Sequence, residues 1–270
     1  MLTLSLVIAT LVLAPSRPAA ANPFGIDLTG PTVAEAQAHL RASGLDQVAG
    51  RMLTRHTTAV PGPAGLRWGA GSTTSSNWSG YVADMNTNGN QVGEARGFFQ
   101  AEPVFTTPAV GSFAGIGGYR GQNLWQTGLD QYQMQLWIEL YPTAPAYFTI
   151  PVSSNDTIFS DVWETSPGTY NLMIQNYTTG QYALGSAGCC PDLKSAEWIT
   201  EAQPGTPIPF FSSVPFSQSF YYLRNNGTVQ LINSPVAQTY WNVKLVNGSS
   251  CIHASSLFPD NQSFSTGLGC

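Results

Sequence analysis

What most limits the fold is how residues 77–246 are cut into roughly ten short runs rich in aromatic and β-branched side chains, with Gly, Pro, Asn and Ser between them. "NWSGYVAD", "ARGFFQAE", "DTIFSDVWE", "TYNLMIQN" and "TYWNVKLV" are examples. Runs of this length and composition are strands, and none of them carries the extended 3.6-residue period of a helix. So many short strands without an internal repeat predict an all-β domain, a two-sheet antiparallel β-sandwich. The 27 glycines and 19 prolines supply the turns such a fold needs, and charged residues make up only 9% of the chain.

The N-terminal part reads differently. An apolar run from Leu2 to Ala14 is followed by "PAAA", which offers a small-residue cleavage site after Ala21. Residues 1–21 are therefore expected to be a signal peptide, which makes the protein secreted and leaves no membrane segment after cleavage. "TVAEAQAHLRASGLDQVAGRMLTRH" reads as helical, with Thr32 as a cap and Glu35 three residues later. Residues 22–68 hold four basic and three acidic groups, whereas the chain from Gly69 onward holds five basic against twelve acidic. A short, helical, more basic leader before an acidic body has the make-up of a pro-segment. "GAGSTTSS", Gly69 to Ser76, has linker composition. The expected organisation is signal peptide 1–21, pro-segment and linker 22–70, and sandwich domain 71–270. An acidic body without basic clusters excludes nucleic acid as a partner.

All four cysteines, Cys189, Cys190, Cys251 and Cys270, lie in the last third. In a secreted chain an even count suggests two disulfides. Adjacent cysteines rarely bridge each other, because the intervening peptide is strained. Cys189 and Cys190 are thus expected to pair with Cys251 and Cys270, in either of two ways. Zinc-ligand spacings such as C-x2-C are absent, so no metal site is expected.

Three segments carry polar groups on what should be one face of a strand. In "QYQMQLWIELYP" the residues Tyr132, Met134, Leu136, Ile138 and Leu140 alternate with Gln131, Gln133, Gln135, Trp137, Glu139 and Tyr141. The first set makes a core face. The second mixes amides, aromatics and a carboxylate, which suits a groove for an extended polymer. In "NLWQTGLDQ", Leu124, Gln126, Gly128 and Asp130 share a face. In "SAEWITEAQ", Glu197, Ile199, Glu201 and Gln203 oppose Ala196, Trp198, Thr200 and Ala202.

The body excludes much chemistry. His253 is its only histidine and no G-x-S-x-G elbow is present, so a Ser-His-Asp triad has little to work with. No Gly-rich phosphate loop precedes a helix, and no histidine cluster could hold a metal. What remains is carboxylate chemistry. A pair of carboxyls could serve a glycosidase, and a carboxylate with a polar partner could serve an acid-pH hydrolase.

"SSNWSGYV", "FAGIGG", "LWQTGLDQ", "IELYP" and "AEWITEAQ" follow one another in an order that resembles the glutamic peptidases, the eqolisin family. "PFFSSV" echoes a further downstream segment. The resemblance implies a lectin-like sandwich with a peptide groove on a concave face, no cofactor, and a polypeptide substrate. It also implies a catalytic dyad at Gln126, from Q-T-G, and Glu201, the second Glu of A-E-W-I-T-E. By the same motifs the groove is lined by Trp78, Phe113, Asp130, Trp137, Glu139 and Tyr141. Two positions depart from the family pattern: Phe113 stands where the family has Trp, and Gly117 where it has Asp. The expected protein is a secreted, monomeric, acid-acting endopeptidase made as a precursor. The rival reading is a glycan-binding or glycan-hydrolysing sandwich with Glu139 and Glu201 as its carboxyl pair; a catalytically dead relative that only binds is a third.

Overall fold

The computed structural model describes residues 70–270 apart from 86–88, 105–109, 120, 189–190, 204, 225–226, 235 and 238. The expected signal peptide and helical pro-segment lie outside the described residues, as do Cys189 and Cys190. Among the described residues there is no helix; fourteen strands are joined in one hydrogen-bonded path, and two more pair onto it from the side. That path folds into two layers. One runs β10 (Gln181–Gly188), β9 (Thr169–Asn176), β8 (Thr157–Ser166), β3 (Val92–Gln100) and β12 (Val214–Leu223). The other runs β14 (Thr239–Asn247), β2 (Trp78–Asp84), β11 (Ser195–Ala202), β4 (Val110–Gly117), β5 (Leu124–Asp130), β6 (Gln135–Tyr141) and β7 (Ala146–Phe148). The short strands β15 (Ser250–Ala254) and β16 (Phe264–Leu268) connect them, and β13 (Val229–Leu231) flanks β12.

The main core lies between the layers. Every second residue of the facing strands points into it, among them Trp125, Leu129, Leu136, Ile138, Val162, Leu172, Ile174 and Trp198. Burial of a side chain this size contributes about 2–3 kcal/mol each, so the alternation fixes the register of each strand. Some polar groups in the core pair across the layers. The Trp198 indole N–H donates to the Arg96 carbonyl at 2.8 Å, and Ser160 Oγ donates to the Thr127 carbonyl at 2.8 Å. Trp198 is fully buried and anchors the middle of β11.

Three expectations need correction. The linker-like residues Ala70–Ser75 form a strand, β1, which pairs parallel to β14 while the other ladders are antiparallel. Small polar residues carry no alternating pattern, so no strand was legible there. It forms because the edge of β14 offers unpaired backbone groups, and a ladder needs no particular side chains. Next, "QYQM" is not strand. Asp130 Oδ1 accepts from the backbone N–H of both Tyr132 and Gln133 at 2.9 Å, and Met134 has φ 53°. This Asx-type turn closes a β5–β6 hairpin with Asp130 opposite Gln135. Tyr132 is consequently 42% exposed instead of in the core. Finally, Cys251 bonds to Cys270, with Cα atoms 5.3 Å apart, so neither pairs with Cys189 or Cys190. The β15–β16 ladder, with Ile252 opposite Leu268, brings the two ends together.

The glycine of N-W-S-G has a steric reason. Gly80 sits at φ +148°, and a Cβ there would stand 2.0 Å from the Trp198 carbonyl oxygen. Backbone cannot yield as a side-chain tip can, so Gly80→Ala should destabilise the domain by about 2–4 kcal/mol. Urea unfolding at constant pH tests this; a midpoint shift worth less than about 0.5 kcal/mol would contradict the packing described.

Candidate active site

Register places the polar residues in rows across the second layer. One row reads Trp241, Val82, Glu197, Gly115, Gln126, Glu139. The next reads Val243, Gly80, Ile199, Phe113, Gly128, Trp137, Tyr147. A third reads Trp78, Glu201, Gly111, Asp130, Gln135. All belong to the face turned away from the core. Val82, Phe113, Leu124, Trp137, Ile199 and Val243 form a second apolar cluster there.

A cavity of about 580 Å³ opens on this face. Gln126, Glu139 and Glu201 line it together with Trp78 and Tyr141. These five of the eight expected site residues thus meet in one place. Phe113 lies beneath it, fully buried, with the Trp78 ring 5.8 Å away on one side and Trp137 6.1 Å away on the other. Phe113 and Trp137 support the wall and are not among its lining residues. Asp130 caps the β5–β6 turn and also stands off the cavity. Gln126 and Glu201 come from β5 and β11, with β4 between them. Gly115 and Gly111 are the β4 positions in their two rows, so no β4 side chain rises there.

Register alone would match Gln126 with Glu197, since only Gly115 separates them in the row. Burial distinguishes the two glutamates. Glu197 is 0% exposed and does not line the cavity, whereas Glu201 keeps part of its surface. Burial pushes the Glu197 carboxyl well above the usual range, with Asp192 and Asp84 raising it further and the Ser195 side chain and Tyr119 backbone offsetting part.

Each of the two cavity glutamates is held by a carboxamide. Asn77 Nδ2 donates to Glu201 Oε1 at 2.6 Å. The Asn77 amide is oriented in turn by Ser75 Oγ, which donates to Asn77 Oδ1 at 2.9 Å and accepts from the Trp78 backbone N–H at 3.1 Å. Gln126 Nε2 donates to Glu139 Oε2 at 2.5 Å across the β5–β6 pair. Desolvation raises the Glu201 carboxyl, and the donors Asn77 and Trp78 hold it down. Glu139 is pushed up to about 7, chiefly by burial; the Gln126 bond opposes this and the charge of Glu201 adds to it. Both burial and the charge of Glu201 thus favour the protonated form of Glu139.

The motifs had supplied Gln126, Glu201 and Glu139 but no role for Asn77 or Ser75. The sequence signal for Asn77 is its place at the head of N-W-S-G, just before β2, where the chain enters the layer. Thr73, Thr74 and Ser75 of β1 also line the cavity, so the strand missed in the sequence forms one of its walls. Gly117, where the family has Asp, has φ +84°, and a Cβ there would lie 2.5 Å from the Asp192 carbonyl oxygen. Backbone from the β10–β11 connection occupies the space an aspartate would need. Among the described residues no group of three or more His, Cys, Asp and Glu side chains is arranged to hold a metal ion, and no helix is long and apolar enough to cross a membrane.

Comparison with solved structures finds the same fold. Scytalido-glutamic peptidase bound to a transition-state analogue inhibitor superposes with TM-score 0.59 at 20% identity, over 72% of this chain and 98% of that one. SCP-B, a member of the eqolisin family in complex with the tripeptide Ala-Ile-His, superposes with TM-score 0.57 at 18% identity over the same shares. No curated protein sequence matches the chain. The sequence profile of the Peptidase A4 family matches residues 76–263, from just before Asn77 to the start of β16 and across every cavity residue named except those of β1. The chain belongs to the Peptidase A4 family, the eqolisin glutamic peptidases.

Proposed function

We propose that the protein is a secreted endopeptidase that works in acid, with Glu201 as general base and Gln126 as oxyanion donor. One observation carries this reading: Gln126 and Glu201, from separate strands, open into one cavity in which Glu201 has its own hydrogen-bond donor. Glu201, ionised, takes a proton from a water held between it and Gln126. The water attacks the scissile carbonyl, and a Gln126 N–H donates to the developing oxyanion. One such donor contributes about 3–4 kcal/mol to the transition state. Glu201 then passes the proton to the leaving amine. A peptide substrate agrees with the tripeptide bound by SCP-B. Tyr141, half exposed at the rim, and Trp78 are the aromatic surfaces on which its side chains would lie.

The glycan reading used Glu139 and Glu201 as the two carboxyls. It gives Gln126 no task, yet Gln126 is bonded to Glu139 inside the cavity, and this favours the peptidase. Gln126→Ala and Glu201→Gln are each expected to lower kcat on denatured casein at pH 3–4 by at least about a hundredfold. Full activity in either variant would remove the dyad assignment; glycan hydrolysis without casein hydrolysis would favour the rival.

Asn77 is proposed to keep Glu201 ionised. Its bond favours the charged form, so its loss raises the Glu201 pKa and the base then needs a higher pH to ionise. A hydrogen bond to a charged group is worth about 1.5–3 kcal/mol, or about one to two pH units. Asn77→Ala should therefore move the acid limb of kcat/KM upward by about that much. An unmoved limb would leave Asn77 a purely structural role.

Residues 1–21 and 22–68 are proposed to direct secretion and to hold the precursor inactive, their Arg side chains pairing with groove carboxylates until acid protonates them. Because β1 walls the cavity and Ser75 orients Asn77, processing has to spare it. Incubation of the precursor at pH 3.5, but not pH 7, should yield an N-terminus at or before Ala70. No acid cleavage, or an N-terminus beyond Ser75, would overturn this.

A further inference from the structure

The Gln126 carboxamide has two chemically opposite ends, and in this structure they are unequally satisfied. Nε2 is committed to Glu139, while Oε1 is buried with no hydrogen-bond partner. Leaving a carbonyl oxygen buried and unpaired carries a desolvation penalty of about 1–3 kcal/mol. An ionised Glu139 allows only this arrangement, because a carboxylate can only accept. A protonated Glu139 keeps an acceptor oxygen but also carries an O–H. It can donate to Gln126 Oε1, which turns the amide over, pairs the orphaned oxygen, and frees both N–H groups of Nε2.

We infer that Glu139 is a positioning residue that selects, by its protonation state, which end of the Gln126 carboxamide is presented to the substrate carbonyl. With Glu139 protonated, Gln126 offers N–H to the oxyanion. With Glu139 ionised, its carboxylate holds Nε2 and fixes the amide with Oε1 unpaired, so its hold on Nε2 competes with donation to the oxyanion. This rests on the dyad reading above and extends it. It assigns the two limbs of an acid pH profile to different residues: Glu201 must ionise for the lower limb, and Glu139 must stay protonated for the upper one.

The groups around Glu139 agree. From β11, Glu201 faces it and disfavours a second negative charge in the cavity. From β7, Tyr147 feels Glu139 and Asp130, and its hydroxyl is itself held above its usual range by burial and then by those two charges. Tyr141, further along β6, and Tyr119, from the β4–β5 connection, line the same cavity. β9 packs on the other side of β6, where its Tyr170 meets Trp125 edge-on at 5.3 Å. No Lys, Arg or His is among the described residues that line the cavity.

The test is Glu139→Gln in the mature enzyme, read in two ways. In kcat/KM against pH, wild type should lose activity as pH rises through the Glu139 titration. A glutamine at 139 cannot ionise, so the variant is expected to lose several-fold in kcat at the acid optimum, yet its upper limb should move up by about one pH unit or more. The second readout needs no substrate. The Gln126 side-chain amide, followed by 15N NMR from pH 3 to 8, should show one titration step in wild type that Glu139→Gln abolishes. An unmoved upper limb, or a wild-type Gln126 amide without a step, would overturn the switch. If Gln126→Ala or Glu201→Gln were fully active, the dyad would fall while the NMR step still decided the switch by itself.

Discussion

A carboxylate proposed to work charged inside a desolvated cavity can do so only if donors meet it. That constraint organises this end of the sandwich. Glu201 is met by Asn77 Nδ2 at 2.6 Å, and Asn77 is turned the right way by Ser75 Oγ. Ser75 is in place because β1 runs along β14, and Trp78 starts β2 beside it. Removing any of these supports leaves a buried charge unmatched, which is far more costly than losing a surface ion pair. Four of the glutamates in the two layers show how finely environment sorts one residue type. Glu164, near the surface, is held low against burial by two bonds from Arg224, at 2.7 Å each, and by the Gly168 backbone N–H. Glu197, buried beside Asp84 and Asp192, is pushed high. Glu139 and Glu201 lie between these extremes and share one cavity.

Separating the pKa values of those two is what allows a division of labour. Glu201 has two donors, Asn77 and Trp78, and Glu139 has one, Gln126, with the charge of Glu201 beside it, so we propose that Glu201 is the first to ionise. Two carboxyls that interact in this way titrate as a pair with two apparent values. Between those values the cavity holds one base and one acid, each joined to its own amide. The pattern is a general one for acid–base sites; here the acid is proposed to act through Gln126 and not on substrate directly.

Much of this was legible in the sequence. Leu136, Ile138 and Leu140 fill the core while Trp137, Glu139 and Tyr141 face the groove side, and Trp198 points inward opposite Glu201, as period-2 alternation requires. Alternation is a local property, set by each strand's own side chains. What lay hidden depends on partners distant in sequence. β1 is a strand only because β14 has a free edge. The Asn77–Glu201 bond joins residues 124 apart. The Cys251–Cys270 bridge follows from the β15–β16 ladder, which cysteine spacing does not encode. The "QYQM" turn depends on a single Asp130 carboxylate overriding a run that reads as strand. Even the two glutamates of "SAEWITEAQ" could be told apart only by burial, since they share a strand face and Glu197 stands nearer Gln126 in register.

The central claim is an order of ionisation within one cavity, and titration of glutamate carboxyl carbons by 13C NMR measures it directly. Assignments come from the single Glu→Gln variants. The account predicts that Glu201 ionises first, in the acid range, and that Glu139 follows near pH 7. Glu139 ionising before Glu201, or both ionising together below about pH 5, would contradict it.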